Sequence, residues 1–247
     1  MAGMLGKTAA FLYKRTYVPY CAAVVAAAGN SERMEMMDKL FIEFGGVPVL
    51  AYTLQALENC DLIREIVIAT RGSAIEAVQA LCRKYGITKA VKVLEGGETR
   101  MESVMIATME VSAKAKLIAV HDGARPFVTR EILESTIRAA VLHNAAAPGI
   151  AIADTVKSVE HGIIRKTLDR NAVVRIQTPQ VFQADILKAA LTNAKNKGMT
   201  VTDECMAAEA IGVQPYVTEG SAENIKLTVP EDIYMAKAIL EKRRNAT

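Results

Sequence analysis

Eight polar or charged residues with reactive side chains fall on three loops and just before the last predicted helix. They are Arg33 and Lys39 on the first loop, Glu98, Arg100 and Ser103 on the second, Asp122 and Arg125 on the third, and Lys226 before the helix. Cations around one carboxylate suit a polyphosphate with Mg²⁺, because the carboxylate holds the metal while the cations meet the phosphate oxygens. No Ser-His-Asp set is readable, and none is needed if the attacking group is already an anion.

The first loop follows an apolar, β-prone run at residues 22–26. Ala27, Ala28 and Gly29 come next, and such small residues let backbone N–H groups approach a ligand closely, as in phosphate-binding nests. The loop matches neither GxGxxG nor GxxxxGK[ST], so neither the dinucleotide fingerprint nor the P-loop fingerprint applies. From this loop alone, a simple strand-to-loop turn remains an alternative.

Repeated strand, loop and helix units position the three loops. Apolar runs at 63–69, 91–94 and 117–121 predict further strands, and helices are expected after Pro48, after Ser73 and Thr129 as N-caps, and near Ser103. These units predict right-handed βαβ crossovers and an α/β fold with a doubly wound, mainly parallel sheet. In such sheets ligands bind beyond the carboxyl ends of the strands, where Gly29, Gly96 and Asp122 would fall.

The pattern changes at about residues 150–176. Short alternating runs flank a His161-Gly162 turn, which predicts a β-hairpin that protrudes as a β-arm. A hairpin of this length has little core of its own, so we expect it to pack against a second subunit and form a homodimer.

Apart from its N-terminal extension, the chain is expected to form one domain. Residues 1–20 are interpreted as an N-terminal extension, and residues 21–247 contain neither a linker nor an internal repeat. Thr228 and Glu231 have the spacing of a capping box, with Pro230 in the first turn, which predicts the start of the last helix.

Composition and charge argue against several classes of protein. The 247 residues are 51% hydrophobic and 23% charged, with a net charge of +3, which is typical of a soluble globular protein, here expected in the cytoplasm. The small charge, and the lack of a basic run with interleaved aromatic residues, argue against a nucleic-acid partner. No 18-residue apolar span occurs, so no membrane partner is expected.

The cysteines and histidines show no metal-binding pattern. The four cysteines lack CxxC spacing and are interpreted as reduced, mostly buried thiols. The three histidines form no cluster of the kind that binds zinc. His121 alternates with Val120 and is expected inside the sheet.

Eight motifs occur in a fixed order along the chain. They are AAAGNSERM with Lys39 downstream, GGETRMESV, VHDGARPFV, DTVKSV, LDRN, QTPQVF, TDE and ENIKLTVPED. Together they resemble the 2-C-methyl-D-erythritol 4-phosphate cytidylyltransferase family of the non-mevalonate isoprenoid pathway, over roughly residues 21–240. Each motif is weak alone, whereas eight in the same order are specific.

The resemblance implies an enzyme that transfers CMP from CTP to methylerythritol phosphate and releases pyrophosphate. It also implies a Mg²⁺-dependent homodimer with the Rossmann-like fold of nucleotide-diphospho-sugar transferases. Carried over by motif, Arg33, Lys39 and Lys226 are the implied catalytic residues, which contact the CTP phosphates. The resemblance implies that Asp122 binds the metal and contacts the ribose region of CTP.

The resemblance also implies two sets of binding residues. The implied nucleotide-binding residues are Ala27, Ala28, Gly29, Gly97, Glu98, Ser103, Asp122 and Gly123. The implied acceptor-binding residues are Thr155, Arg170, Thr178 and Arg125. Thr155 and Arg170 lie on the predicted arm and would reach into the partner's site.

The sequence departs from the family pattern around the first loop. The family often has Pro where Ala26 stands, and Pro before the catalytic lysine, where Asp38 stands. The segment between Arg33 and Lys39 also looks one residue shorter than in some members. These departures leave the path of this loop open without changing the assignment.

Three other functions are weighed against this one. Ribitol-5-phosphate cytidylyltransferase shares the fold, but the AAAG and HDGARP forms, with Thr155, Lys157 and Arg170, favour methylerythritol phosphate. A regulatory nucleotide-binding protein would not need cations at the reacting phosphorus. A dehydrogenase is disfavoured because the first loop lacks GxGxxG.

Overall fold

One sheet of eight strands carries the fold in the computed structural model of the protein, which describes residues 17–29 and 38–245. The strands are β1 (Cys21–Ala27), β2 (Glu43–Phe44), β3 (Val47–Pro48), β4 (Ile63–Thr70), β5 (Ala90–Glu95), β6 (Leu117–Asp122), β7 (Ala145–Ala151), β8 (Lys157–Glu160), β9 (Ile163–Thr167), β10 (Val174–Ile176), β11 (Gln180–Gln183) and β12 (Tyr216–Glu219). The helices are α1 (Val49–Glu58), α2 (Ile75–Lys84), α3 (Arg100–Met109), α4 (Arg130–His143), α5 (Ala184–Asn196), α6 (Glu204–Glu209) and α7 (Asp232–Asn245).

The strand order reverses at β1, in the middle of the sheet. The order is β10-β7-β11-β6-β1-β4-β5, and β12 pairs with β7. β1 is parallel to both β4 and β6, β4 is parallel to β5, and β11 is antiparallel to β6. The chain thus continues from β1 to β4 and β5 on one side and returns at β6 on the other. This arrangement confirms the predicted doubly wound, mainly parallel sheet and places the expected binding crevice beyond the carboxyl end of β1.

Two layers of helices cover the sheet. Alternate residues of β1 enter different cores, with Cys21, Ala23 and Val25 on one face and Ala22 and Val24 on the other. The first core also receives side chains from α1, α2, α4 and α7, and the second from α3, α5 and α6. Because both faces of β1 are covered, its sequence is continuously apolar rather than alternating.

Of the two N-caps predicted at Thr129 and Ser73, the structure confirms the first and not the second. Thr129 caps α4, as expected, because its side chain accepts a hydrogen bond from Ile132 N–H. The prediction that Ser73 caps a helix is wrong: Gly72–Ala74 forms a 3₁₀ turn, and Ala74 precedes α2 without a side-chain cap.

The capping box predicted for the last helix is also wrong. α7 begins at Asp232, two residues after Pro230. The Asp232 carboxylate accepts hydrogen bonds from the backbone N–H groups of Thr228 and Val229, at 2.6 and 3.0 Å. The acidic residue that ties this turn together therefore lies one position later than Glu231.

The predicted hairpin is present. β8 and β9 pair antiparallel in a two-stranded sheet of their own, and the turn residues His161 and Gly162 have φ angles of 48° and 78°. Val159, Ile163 and Ile164 are each more than half exposed. The segment returns to the main sheet through β10, which pairs with β7.

The four cysteines are free and buried, as predicted. Burial raises the pKa of the Cys82 thiol to about 11. Over residues 17–29 and 38–245, the helices are too short or too polar to cross a membrane.

Candidate active site

Two adjoining clefts open at the carboxyl ends of β1, β4, β5 and β6. The Asp122 cleft, of about 190 Å³, is lined by residues that include Ala27, Lys39, Asp122 and Lys226. The Glu98 cleft, of about 410 Å³, is lined by residues that include Arg71, Glu95, Gly97 and Glu98. Both clefts share Ala28, Gly29, Arg100 and Ser103, so together they form one continuous groove.

Glycines allow the walls of the groove to approach each other. A Cβ atom on Gly96 would lie 2.5 Å from Ser103 Oγ and 2.6 Å from Ala28 Cβ. A Cβ atom on Gly97 would lie 2.4 Å from Glu102 Cβ. The start of α3 is fixed beside them by a capping box between Thr99 and Glu102. The second loop is therefore packed tightly against the first, which requires residues without side chains.

Asp122, the last residue of β6, is the electrostatic centre of the groove. The residue is 4% exposed, and its carboxylate has three cationic partners. Oδ1 accepts from Arg100 Nε at 3.1 Å, while Oδ2 lies 3.2 Å from Arg125 Nε and 3.1 Å from Lys226 Nζ. Burial alone would raise the pKa of Asp122, but attraction to the three cations outweighs it and holds the pKa well below its usual range. Asp122 is therefore ionised at neutral pH.

Arg100 is held from its other side by Glu204. Its Nη1 and Nη2 atoms donate to the two carboxylate oxygens of Glu204 at 2.7 and 3.1 Å. Burial raises the pKa of Glu204, and attraction to Arg100 opposes that shift. For Arg100, burial would lower the pKa, but Glu204 and Asp122 raise it above its ordinary value, so the guanidinium stays charged.

His121 and Thr178 support Asp122 from inside the sheet. The N–H of Asp122 donates to Thr178 Oγ1 at 3.1 Å, so the Thr178 hydroxyl hydrogen is free to donate to His121 Nδ1 at 2.9 Å. His121 Nε2 then carries the proton and donates to the carbonyl of Arg125 at 3.3 Å. His121 is fully buried, which confirms its predicted place inside the sheet. Burial lowers its pKa to about 4, so the ring is neutral.

Asn224 joins Arg125, Thr178 and Gln177 behind the groove. Its carbonyl accepts from Arg125 Nη1 at 2.8 Å, and its Nδ2 donates to the Thr178 carbonyl at 3.0 Å. Gln177 Oε1 accepts from Asn224 Nδ2 at 3.3 Å. The chain leading to Lys226 is thereby tied to the same strand end as Asp122.

Nine predicted site residues line the groove: Lys39, Lys226, Ala27, Ala28, Gly29, Ser103 and Asp122 in the Asp122 cleft, with Gly97 and Glu98 in the Glu98 cleft. Gly123 lies behind it, where its N–H donates to the carbonyl of Ala26 at 2.9 Å. Arg33 lies outside the described residues.

Asp38 fixes the turn that presents Lys39. Its carboxylate pairs with Arg71, and it also accepts from the N–H of Leu40 at 3.3 Å. The carbonyl of Asp38 accepts from the N–H of Phe41 at 2.9 Å. These bonds give the residue before Lys39 a defined position without a proline.

The two predicted acceptor residues on the hairpin segment do not line the groove. Thr155 and Arg170 are exposed, and Arg170 Nη1 donates to the carbonyl of Ala153 at 3.0 Å, within the same segment. Thr178 and Arg125, the other two, lie beside Asp122 but do not line either cleft.

Comparison with known proteins assigns the chain to a family. The model of the family described as IspD, 2-C-methyl-D-erythritol 4-phosphate cytidylyltransferase, matches residues 21–242. The chain belongs to this cytidylyltransferase family. A relative of that name from Clostridium acetobutylicum is 39% identical over 223 residues, which cover 89% of this chain and 97% of the relative. Another, from Halalkalibacterium halodurans, is 39% identical over 225 residues, covering 90% and 98%.

Solved structures of the family share the fold. The 4-diphosphocytidyl-2C-methyl-D-erythritol synthase of Anaerococcus prevotii matches with a TM-score of 0.82 and 29% identity, covering 90% of this chain and 96% of that one. The 2-C-methyl-D-erythritol 4-phosphate cytidylyltransferase of Thermus thermophilus matches with a TM-score of 0.74 and 31% identity, covering 89% and 98%. The predicted family and fold class are thus confirmed.

Sequence reasoning missed Glu204 as a partner in this cytidylyltransferase site. The glutamate of the TDE motif is the first residue of α6, where an acidic side chain is expected from its interaction with the helix dipole alone. Arg100 was noted as reactive and given no role. Arg100 and Glu204 are 104 residues apart, so no local sequence pattern predicts that they pair.

Proposed function

We propose that the protein transfers CMP from CTP to 2-C-methyl-D-erythritol 4-phosphate, releasing pyrophosphate, as a step in isoprenoid precursor synthesis. The observation that carries the proposal is the Asp122 carboxylate surrounded by Arg100, Arg125 and Lys226 at a strand end, inside a groove of a chain of this family. Such a centre suits a triphosphate that reacts with an anionic acceptor.

The residues that line the groove suit the different parts of CTP. Ala27, Ala28, Gly29, Gly97, Glu98 and Ser103 are proposed to hold the cytidine and the phosphates. Apart from Glu98, these residues have small side chains or none, which leaves backbone groups open to close approach. Lys39, Lys226 and, from the sequence alone, Arg33 are proposed to bind the phosphates, while Asp122 and Gly123 serve the ribose and metal region.

The groove suits a Mg²⁺ ion only if the phosphates of the nucleotide supply further ligands beside the Asp122 carboxylate. Among residues 17–29 and 38–245, no three His, Cys, Asp or Glu side chains group to hold a metal. Mg²⁺ in phosphoryl-transfer sites is commonly bound through one or two carboxylates plus substrate phosphates and water. Asp122 would supply the carboxylate, and the bound metal would neutralise charge on the phosphates.

The chemistry requires no general base. A phosphate monoester has a second pKa near 6, so its oxygen is already anionic at neutral pH. That oxygen attacks the α-phosphorus of CTP, forming a new P–O bond as the bond to pyrophosphate breaks. Lys39, Lys226 and Arg33 offset the charge that builds up, and fixed donors of this kind contribute roughly 10² to 10³ each in rate.

Arg125 and Thr178 are proposed to hold the acceptor phosphate together with Thr155 and Arg170. Because the last two lie on the exposed hairpin segment, we propose that they act in the site of a second subunit, in a homodimer formed through the arm at 150–176. Light scattering tests this: a monomer at micromolar concentration with full activity would refute it.

The remaining proposals concern the domain organisation and the cellular location of the enzyme. Residues 21–247 would form a single catalytic domain preceded by an extension at 1–20, and the enzyme would act in the cytoplasm. Limited proteolysis tests the first point, since removal of 1–20 should leave activity intact.

Product analysis tests the activity. Purified protein incubated with CTP, Mg²⁺ and methylerythritol phosphate should yield CDP-methylerythritol, detected by mass spectrometry, and equimolar pyrophosphate. Omission of the acceptor is the control. CTP binding with no product in the complete mixture would contradict the proposal in favour of a non-catalytic nucleotide-binding protein.

A further inference from the structure

Glu204 is a buried carboxylate beside the groove to which the proposed chemistry gives no role. It is 1% exposed, and its two oxygens both accept from Arg100. A two-point bond between a carboxylate and a guanidinium fixes the plane and position of the arginine, because the two groups match in geometry.

The segment around Glu204 is itself tied to the central sheet. Gln180, on β11, donates from Nε2 to Asp203 Oδ2 at 2.9 Å and accepts at Oε1 from the N–H of Cys205 at 3.0 Å. Asp203 also caps α6 by accepting from the N–H of Met206. The residues on both sides of Glu204 are therefore anchored, which gives Arg100 a rigid support.

The two oxygens of Asp122 differ in whether a partner is exposed enough to leave. Oδ1 is bonded to Arg100, which Glu204 anchors, whereas Oδ2 is bonded to Arg125 and Lys226. The proposed function gives Lys226 a CTP phosphate to bind, whereas Arg125, which the Asn224 carbonyl also holds at 2.8 Å, stays beside Asp122 until the acceptor arrives. Lys226 is also 35% exposed, so it can leave Asp122 for a phosphate without crossing the protein interior.

We propose that Arg100 and Glu204 are positioning residues that hold Oδ1 of Asp122 in place and leave Oδ2 as the oxygen released to a divalent cation when the triphosphate attracts Lys226. Glu204 also balances the charge of Arg100. Without it, the whole guanidinium charge would face Asp122 and compete with the metal. The inference rests on the proposed function, because it assumes that a nucleotide triphosphate enters the groove.

Metal binding by variants tests the inference without turnover. Free Mn²⁺ is measured by electron paramagnetic resonance in the presence of saturating CTP and no acceptor, for the wild type, Glu204→Gln and Arg100→Lys. Both variants should raise the Mn²⁺ concentration for half-saturation about tenfold, since the loss of groups that orient metal ligands weakens binding by 10- to 100-fold. CTP affinity should change less than threefold.

Glu134→Gln is the matched control. Glu134 also pairs with arginines, Arg130 and Arg138, but on α4 away from the groove. This variant should bind Mn²⁺ like the wild type. In turnover assays, Glu204→Gln should lower kcat at fixed Mg²⁺ with little change in KM for CTP, and excess Mg²⁺ should restore part of the loss.

Two results would overturn the inference. Wild-type Mn²⁺ binding in both variants would show that the Arg100–Glu204 pair only stabilises the fold. A large loss of CTP affinity in Arg100→Lys with unchanged Mn²⁺ dependence would make Arg100 a direct nucleotide contact. If Glu204→Gln does not fold, Arg100→Lys decides between these outcomes. A failure of the proposed function is seen separately, as a wild-type protein that releases no pyrophosphate.

Discussion

Replacing His121 with Asn should make the fold less sensitive to acid between pH 7 and pH 5. The imidazole is fully buried and neutral, and its Nδ1 accepts from Thr178. Asn can offer a carbonyl oxygen near the same place but does not titrate. Protonating His121 in the folded protein would charge a buried ring beside Arg125 and break its bond to Thr178.

The size of the effect follows from the pKa of His121. Its pKa falls from 6.5 to about 4 on folding. A folded pKa below the unfolded one means that the unfolded chain binds the proton more tightly. The stabilisation is therefore complete above pH 6.5 and is lost as the pH falls toward 4. The gap corresponds to about 3 kcal/mol in total, of which about 2 kcal/mol is lost between pH 7 and pH 5.

Urea unfolding followed by circular dichroism at pH 7, 6 and 5 measures this loss. The wild type should lose about 2 kcal/mol more than His121→Asn over this range. His143→Asn is the control, because His143 is exposed at the end of α4, and it should retain the wild-type pH dependence. Asp122 contributes little in this window, because its pKa lies well below it. Parallel pH curves for the wild type and His121→Asn would refute the reasoning.

Three further predictions concern the groove and its support. Lys39→Met should lower kcat by roughly 10² to 10³ with a smaller change in KM for CTP, because a fixed cation is lost. Lys92→Met, at an exposed ion pair, is the control and should leave kcat unchanged. Gly96→Ala should weaken CTP binding in calorimetry, because the new Cβ would lie 2.5 Å from Ser103 Oγ; wild-type affinity would contradict the tight packing of the loops. Thr129→Ala should lower the free energy of unfolding by about 1 kcal/mol, seen as a Tm lower by roughly 2 to 4 °C with unchanged kcat, and an unchanged Tm would show that the cap contributes little.

The order of elements was predictable because each strand and helix has a strong local pattern. The apolar runs before Gly29 and Asp122 are strands whose carboxyl ends meet at one edge of the sheet. Parallel pairing brings together loops that are far apart in sequence, and the sequence pattern was sufficient to infer it.

Features set by tertiary contacts were not predictable in the same way. Ser73 looked like a helix cap, but the chain forms a 3₁₀ turn there, and no side chain caps α2. Glu204 looked like an ordinary acidic residue at a helix start, and only the folded chain places it against Arg100. The roles proposed for Arg33, Thr155 and Arg170 still rest on the motifs.

The central claim is cytidylyl transfer to methylerythritol phosphate. Its most direct test is pyrophosphate release with CTP and Mg²⁺, comparing methylerythritol phosphate with ribitol 5-phosphate as the acceptor. Turnover with methylerythritol phosphate and none with ribitol 5-phosphate is the predicted result. Turnover with ribitol 5-phosphate alone, or with neither acceptor, would contradict the claim.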